Sequence, residues 1–194
     1  MKNHFPYSIA VLKPDAHRDI IGGMIIRDLE EGGLDVIFRK DIVFSEKQAQ
    51  KIYLKELEGQ PNFPGAIKSI LGTEKHNFGT ILILKSKDGQ DALMKAVNIK
   101  GKVGQGGIRA KYNLYSREEL EAKGFGGDEL SNELAKNRLH IPDTDLEAIE
   151  LIKMLLTEKE KDELRSREPD LCNELDKLSE GREMVFIQKE PKLR

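Results

Sequence analysis

The sequence predicts an α/β protein of the ferredoxin-like, split βαβ type, in which an antiparallel four-stranded sheet is covered by helices. Two observations lead to this fold class. Two strand-like segments with a helix between them, a third strand, a helix and a last strand follow one another along the chain, and the split βαβ arrangement has this order. The length of 194 residues leaves room for one core of ordinary size, so one main domain is expected.

The first strand, the first helix and the second strand are predicted within residues 7–44. The apolar run "YSIAVL" ends at "KPDA", where Pro14 and the residue before it disfavour continued regular structure, so a strand and then a turn are expected. The helix that follows has apolar residues at helical spacing: Ile21, Met24, Ile25 and Leu29. Gly32 and Gly33 end this helix, and "LDVIFRKDIVF" then alternates as a strand.

The middle of the chain supplies the next helices and the third strand. Ser45, with Gln48 three residues later, forms a capping box that predicts a helix carrying Tyr53. "NFGTILILKS" is typical of a strand and "GQDALMKAVN" of a helix. The Gly-rich "IKGKVGQGGIRAKY" is predicted to be a loop whose basic side chains, on a pliable backbone, could meet an anion: Lys100, Lys102 and Arg109.

The rest of the chain is more polar. "SREELEAKGFGGDELSNELAK" is expected to be a part-helical insertion, and "NRLHI" is short enough to be the last strand. Asp143 or Thr144 then caps an amphipathic helix. From Thr157 charged residues dominate, which predicts a solvated helical arm that ends near Gly181. The apolar "MVFIQ" after it would pair with a sheet edge or pack on a neighbouring subunit.

Composition excludes several classes of protein. The net charge of −2 provides no overall basic field, so no nucleic-acid partner is expected. No apolar run approaches the roughly 20 residues that span a bilayer, so no membrane association is expected. The N-terminus shows no pattern of a secretory signal and Cys172 is the single cysteine, so a cytoplasmic location is predicted.

His140 is the strongest candidate for chemistry among four histidines, because it falls at the end of the last strand. It lacks a second histidine or cysteine at ligand spacing, and no Gly-x-Ser-x-Gly motif provides a serine for it to activate, so zinc and serine chemistry are disfavoured. The imidazole therefore remains as a base or as a nucleophile. A phosphoryl acceptor needs nearby cations, and Lys13, Arg109 and the loop lysines are available.

Four motifs resemble the nucleoside diphosphate kinases. "SIAVLKPDA" is similar to that family's first strand and Lys-Pro-Asp-Ala turn, and "GGLDVIFRKDIVFSEKQAQKIY" to its second strand and tyrosine-bearing helix. "GGIRAKY" resembles its Pro-Gly-Thr-Ile-Arg-Gly segment, and "NRLHIPD" its Asn-x-x-His-Gly-Ser-Asp signature. The motifs follow the family's order from about Tyr7 to Leu156.

The resemblance implies a two-step exchange. A nucleoside triphosphate such as ATP phosphorylates His140, and a nucleoside diphosphate then takes the phosphoryl group. By the same resemblance Lys13 and Arg109 hold phosphates, Asn137 contacts the sugar or supports the site, and Tyr53 orients the histidine. Mg²⁺ would be bound through phosphates and water, with Asp143 at most an outer-shell partner, so no residue is assigned as a direct metal ligand. Family members assemble as hexamers or tetramers, so a homo-oligomer is expected.

Two departures from the family pattern bear on activity. Ile141 and Pro142 stand where the family has Gly-Ser, and the glutamate that normally holds the histidine through that serine falls on Leu151. Either Glu147, Glu150 or a backbone carbonyl substitutes, or transfer is slowed.

Further departures concern the nucleotide. Asn62 stands where the family has an aromatic residue against the base, although Phe63 is adjacent. Lys95 is assigned as the counterpart of a phosphate-holding arginine; a lysine keeps the charge and loses the bidentate fork.

The expected division of the chain is a nucleoside diphosphate kinase-like domain over residues 1–156, with an insertion at about 110–136, and a C-terminal helical extension over 157–194. Two alternatives to the kinase stay open. One is a catalytically weak or inactive family member that acts as a nucleotide-binding or scaffold protein. The other is a histidine phosphocarrier or regulatory ferredoxin-like domain, which would not need the Lys-Pro-Asp-Ala turn.

Overall fold

The computed structural model describes residues 5–101, 106–113 and 115–179, and its centre is an antiparallel sheet in the order β2-β3-β1-β4. The four strands are β1 (Tyr7–Leu12), β2 (Leu34–Val43), β3 (Phe78–Ser86) and β4 (Leu139–His140). β1 pairs with both β3 and β4, and β3 also pairs with β2. The predicted antiparallel, ferredoxin-like fold class is confirmed.

Five helices connect the first three strands and follow the third. They are α1 (Pro14–Arg18), α2 (Gly22–Glu31), α3 (Glu46–Leu57), α4 (Phe63–Leu71) and α5 (Ala92–Lys100). The predicted capping box is present, because the Ser45 hydroxyl accepts from the Gln48 amide and the Gln48 side chain bonds back to Ser45. The predicted turn after β1 is instead the short helix α1. Its proline lies in the first turn, where a missing N–H has no consequence.

One helix overlaps the start of the predicted insertion, two fall inside it, and three close the described chain. They are α6 (Gly107–Tyr112), α7 (Arg117–Ala122), α8 (Gly127–Ala135), α9 (Asp145–Leu155), α10 (Glu158–Arg165) and α11 (Pro169–Ser179). Arg109 therefore lies on a helix, where the sequence predicted a loop. Of the two candidate caps for α9, Thr144 is the one used, since its hydroxyl accepts from the Glu147 amide.

The sheet separates two apolar clusters, because successive side chains of a strand point to opposite faces. Ile9, Val11, Ile81 and Ile83 belong to the cluster under α3, α4 and α9. The alternate residues Ala10, Leu12, Leu82 and Leu84 belong to the cluster under α2 and α5. Both faces of the two central strands are therefore covered, and a site can form only at an edge or an end of the sheet.

The C-terminal helices are part of the first cluster and are not a fully solvated arm. Leu164, Leu171 and Leu175 are buried in that cluster. Glu168 joins this segment to the sheet, since its Oε2 accepts from Tyr7 Oη at 2.8 Å and lies 2.7 Å from Lys85 Nζ. The division at residue 156 stays a prediction, and "MVFIQ" and Gly181 lie outside the described residues. Among the described helices, none is both long and apolar enough to cross a membrane.

Candidate active site

His140 lies at the end of β4 and faces the layer formed by α3 and α4. It pairs with Val11 across the sheet, and directly paired residues of an antiparallel ladder point to the same face. Val11 belongs to the cluster under α3 and α4, so the imidazole enters that side of the sheet. His140 is 3% exposed, and its ring meets the Tyr53 ring edge to face at a centroid distance of 4.8 Å.

Lys13 follows β1 directly and is held beside this pair of rings. Its side chain is 1% exposed, and its Nζ lies 5.3 Å from the centroid of the Tyr53 ring. The ammonium donates to Ser69 Oγ at 2.9 Å and to the Ala135 carbonyl oxygen at 3.0 Å. These acceptors on α4 and α8 fix a buried cation next to the histidine.

Lys100 is a second buried cation, at the last position of α5. It is 6% exposed, and its Nζ donates to the Ile141 carbonyl oxygen at 3.1 Å, one residue beyond His140. The chain then turns at Gly101, with φ of 67°. A Cβ there would lie 2.2 Å from the Gly106 carbonyl oxygen, so the turn needs glycine. This turn brings the start of α6, and with it Arg109, toward the same place.

A cleft of about 340 Å³ collects these groups. Five of the six residues singled out in the sequence line it: Lys13, Tyr53, Arg109, Asn137 and His140. The sixth residue, Lys95, does not line the cleft. Its Nζ pairs with Asp88 at 2.6 Å and lies 3.7 Å from the position that a Cβ on Gly33 would occupy. Lys100 is the α5 cation that the structure places in the cleft, and the sequence marked it among the basic residues of the Gly-rich segment.

Asn137 and His140 line the same cleft although a straight strand would place them on opposite faces. The chain bends at Arg138, whose guanidinium pairs with Asp15 and Asp19. Asn137 is 9% exposed, and its Oδ1 is buried without a hydrogen-bond partner in the described part of the chain. Buried amide oxygens are normally bonded, so this atom is available to a donor on a ligand.

The electrostatics of the cleft keep His140 neutral. Burial lowers its pKa well below 6.5, and the charges of Lys13, Lys100 and Arg109 lower it further. Both causes disfavour the imidazolium form. At neutral pH the ring therefore keeps a lone pair on one nitrogen and a proton on the other.

The two positions that depart from the family pattern are buried. Pro142 is buried, and Leu151 packs in the cluster under α3 and α4 at 5% exposure. Glu147, one of the proposed substitutes for the missing glutamate, accepts from the Asp143 amide at 3.1 Å and thus supports the start of α9. Asn62 is a half-buried lining residue of the cleft, whereas Phe63 packs against the apolar cluster.

The insertion contributes one wall of the cleft, which the sequence reasoning missed. Ser131, Leu134 and Ala135 of α8 all line it. Their i, i+3, i+4 spacing places them on one face of the helix, and this spacing was the available signal. Asn132 ties α8 to α4, since its Oδ1 accepts from the Gly65 amide at 2.8 Å.

No group of three or more histidine, cysteine, aspartate or glutamate side chains within the described ranges could hold a metal ion. Asp143 is the single carboxylate among the lining residues. One carboxylate suits a Mg²⁺ ion that is bound mainly by substrate phosphates and water.

The fold and the cleft define a class of protein: an α/β protein whose sheet carries a neutral histidine at one end, facing a cationic cleft suited to phosphate chemistry. Residues 7–161 match the family model described as nucleoside diphosphate kinase. The chain belongs to the nucleoside diphosphate kinase family.

Individual relatives agree with this assignment. The chain is 30% identical over 112 residues to a nucleoside diphosphate kinase of Hydrogenovibrio crunogenus, covering 55% of this chain and 74% of that protein. It is 26% identical over 134 residues to one of Acidiphilium cryptum, covering 66% and 87%. A solved structure of the Borrelia burgdorferi enzyme, a transition state mimic with bound vanadate and ADP, has a TM-score of 0.58 at 18% identity and covers 79% of this chain and 88% of that one. The last comparison concerns the fold alone.

Proposed function

We propose that this chain is a nucleoside diphosphate kinase that transfers the γ-phosphate of a nucleoside triphosphate to a nucleoside diphosphate through a phosphohistidine at His140. The observation that carries the proposal is the meeting of a buried, neutral imidazole with three cationic side chains in one cleft. Membership of the chain in the nucleoside diphosphate kinase family supports the same phosphotransferase activity.

The proposed phosphoryl transfer takes place in two steps. The imidazole lone pair attacks the γ-phosphorus, an N–P bond forms, and the bond from that phosphorus to the β,γ-bridging oxygen breaks, so that a nucleoside diphosphate leaves. In the second step a terminal phosphate oxygen of another nucleoside diphosphate attacks the phosphohistidine, and the N–P bond breaks. The low pKa of His140 keeps the lone pair available in the free protein at neutral pH.

The cations of the cleft have complementary roles in this proposal. Lys13, Lys100 and Arg109 neutralise the charge that spreads over the transferring phosphoryl oxygens. Lys100 takes the place that the sequence assigned to Lys95. Tyr53 holds the imidazole by edge-to-face packing, and the buried amide oxygen of Asn137 accepts from a ligand donor such as a sugar hydroxyl.

The lining residues of the cleft suit a Mg²⁺ ion that is bound through phosphates and water, as the resemblance to the family implied. Mg²⁺ bound to the nucleotide would add further charge neutralisation at the phosphates, and Asp143 would hold it through water. The homo-oligomeric state and the cytoplasmic location predicted from the sequence stay predictions.

The alternative is a family member kept for nucleotide binding or as a scaffold. The replacement of the serine and glutamate by Pro142 and Leu151 favours it. The five predicted residues that meet in the cleft favour the kinase, and family membership does as well.

A labelling experiment separates the two. The protein is incubated with magnesium and ATP labelled in the γ-phosphate, then chased with GDP. We expect an acid-labile, base-stable phosphoprotein that discharges to labelled GTP, and no labelling of a His140→Asn variant. His76→Asn is the matched control, because His76 is exposed and should not alter labelling. ATP binding without labelling, or labelling that persists in His140→Asn, would reject the proposed mechanism.

A further inference from the structure

We propose that the mouth of this cleft selects among nucleobases by hydrogen bonds from Asn62 and Ser131, so that this kinase discriminates between nucleotides by their bases. The inference rests on the proposed function and deepens it. Two walls of the cleft carry the half-buried lining residues Asn62 and Ser131, which mark its mouth, whereas Tyr53 and His140 are buried. One wall consists of Leu57, Asn62 and Ala66 from the end of α3 and the start of α4, and the other consists of the lining face of α8.

The first wall carries a side-chain amide, that of Asn62. Asn62 occupies the N-cap position of α4, and asparagine at that position usually caps the helix with its side-chain oxygen. Here the side chain makes no capping hydrogen bond, and the residue lines the cleft while only half-buried. The amide is thus placed to offer one acceptor and two donors to a ligand.

The neighbouring ring does not replace the missing stacking surface. Phe63 packs against the apolar cluster under α3 and α4. Among the described lining residues the one aromatic side chain is Tyr53, which lies deep in the cleft against His140. Stacking is tolerant of base identity because every base has a π-face. A mouth built from amide and aliphatic groups lacks this stacking contribution to binding, which would favour all bases alike.

The second wall brings another polar group to the mouth, and it is held in place. Ser131 is half-buried on the lining face of α8, and its hydroxyl can donate and accept. α8 is attached to the first wall by Asn132, which accepts from the Gly65 amide at 2.8 Å and donates to the Asp128 carbonyl oxygen at 2.8 Å. Lys13 attaches the other end of α8 at the Ala135 carbonyl oxygen.

Polar groups on two fixed walls have a consequence for specificity. A base whose edge matches their donors and acceptors gains hydrogen bonds, whereas a mismatched base leaves desolvated polar groups unpaired, and the second case costs more than the first gains. We therefore expect at least about a tenfold spread in kcat/KM among ATP, GTP, CTP and UTP, which corresponds to one well-formed hydrogen bond.

The test measures His140 phosphorylation with each of the four triphosphates in turn, in the wild type and in Asn62→Leu, Ser131→Ala and Asn62→Phe. We expect the spread to collapse in Asn62→Leu and to narrow in Ser131→Ala. Asn62→Phe should collapse it while lowering KM for all four nucleotides, because the ring restores stacking. Asn98→Leu on α5 is the matched control, since Asn98 is exposed and outside the cleft.

The outcomes distinguish this inference from the proposed function. Equal rates for all four nucleotides in the wild type, or a spread that survives Asn62→Leu and Ser131→Ala, would overturn base selection and leave the kinase in place. If His140 is not phosphorylated at all, the proposed kinase is rejected. Calorimetric binding of the four diphosphates then tests base selection by itself, with equal affinities overturning it.

Discussion

Replacement of Lys100 by glutamine tests the electrostatic account of the cleft most directly. The structure makes Lys100 a 6% exposed cation whose Nζ lies 3.1 Å from the carbonyl oxygen next to His140 and whose charge lowers the pKa of that histidine. A preorganised donor aimed at developing charge is worth about 10²–10³ in rate. We expect Lys100→Gln to slow the phosphorylation of His140 by about a hundredfold at saturating ATP.

The assay is single-turnover labelling of His140, and α5 itself offers the matched control. Lys95→Gln removes a cation from the same helix, but that cation pairs with Asp88 outside the cleft, so its labelling rate should stay within about twofold of the wild type. Lys100→Arg keeps the charge and should recover part of the rate. Loss of the bond to Ile141 costs about 1–3 kcal/mol of stability, which urea unfolding measures separately.

The pKa of His140 gives a second readout of the same change. Removal of a nearby cation stabilises the imidazolium, so the pKa of His140 should rise toward 6.5 in Lys100→Gln. As the pH is lowered, the labelling rate of the variant should therefore begin to fall at a higher pH than the rate of the wild type. Lys100→Gln at the wild-type rate, together with a slow Lys95→Gln, would refute the reasoning and return the role to Lys95.

Three further predictions concern the stability of the fold and the position of α8. The folded-state pKa of His140 lies below its unfolded value, so the unfolded chain takes up a proton first as pH falls below 6.5. Urea unfolding should therefore show the free energy of unfolding decreasing by up to about 1.4 kcal/mol per pH unit. This decrease should be smaller in His140→Asn, which lacks the titrating group. Glu168→Gln weakens the contact of the C-terminal helices with Tyr7 and Lys85 and should cost about 1–3 kcal/mol of stability without changing the KM for ATP, whereas an altered KM would contradict this separation. Gly65→Ala places a Cβ 2.4 Å from Asn132 Oδ1, so this substitution should displace α8. We expect a higher KM for all nucleotides and weaker base discrimination. Unchanged steady-state kinetics would show that α8 is not a fixed wall.

Local signals in the sequence predicted most of the fold. The strands and the capping box at Ser45 depend on residues that are neighbours in the chain, and all of them are present. The turn after β1 was wrong because Pro14 is equally compatible with the first turn of a short helix. Arg109 lies on α6 rather than in a loop; the glycines of this segment form only the turn before the helix, where Gly106 and Gly107 have positive φ.

The composition of the site depended on longer-range geometry. Lys95 and Lys100 belong to one helix, and which of them faces the cleft is decided by how α5 packs on the sheet, not by their spacing. Asn137 joins His140 because the chain bends at Arg138, and the partners of Arg138 are Asp15 and Asp19, far away in sequence. The wall formed by α8 was missed because the i, i+3, i+4 spacing of Ser131, Leu134 and Ala135 shows that they share a helix face but not what that face meets.

The two requirements for a nucleophilic histidine are met by different means in this chain. A histidine must be neutral, and its ring must be aimed; a hydrogen-bonded serine and glutamate would serve the second requirement by fixing the tautomer. Here burial and three cations supply neutrality, while edge-to-face contact with Tyr53 restricts the ring. Tyr53→Leu should therefore slow His140 phosphorylation while leaving ATP affinity within about threefold. An equal loss of both would mean that Tyr53 binds nucleotide instead of aiming the histidine.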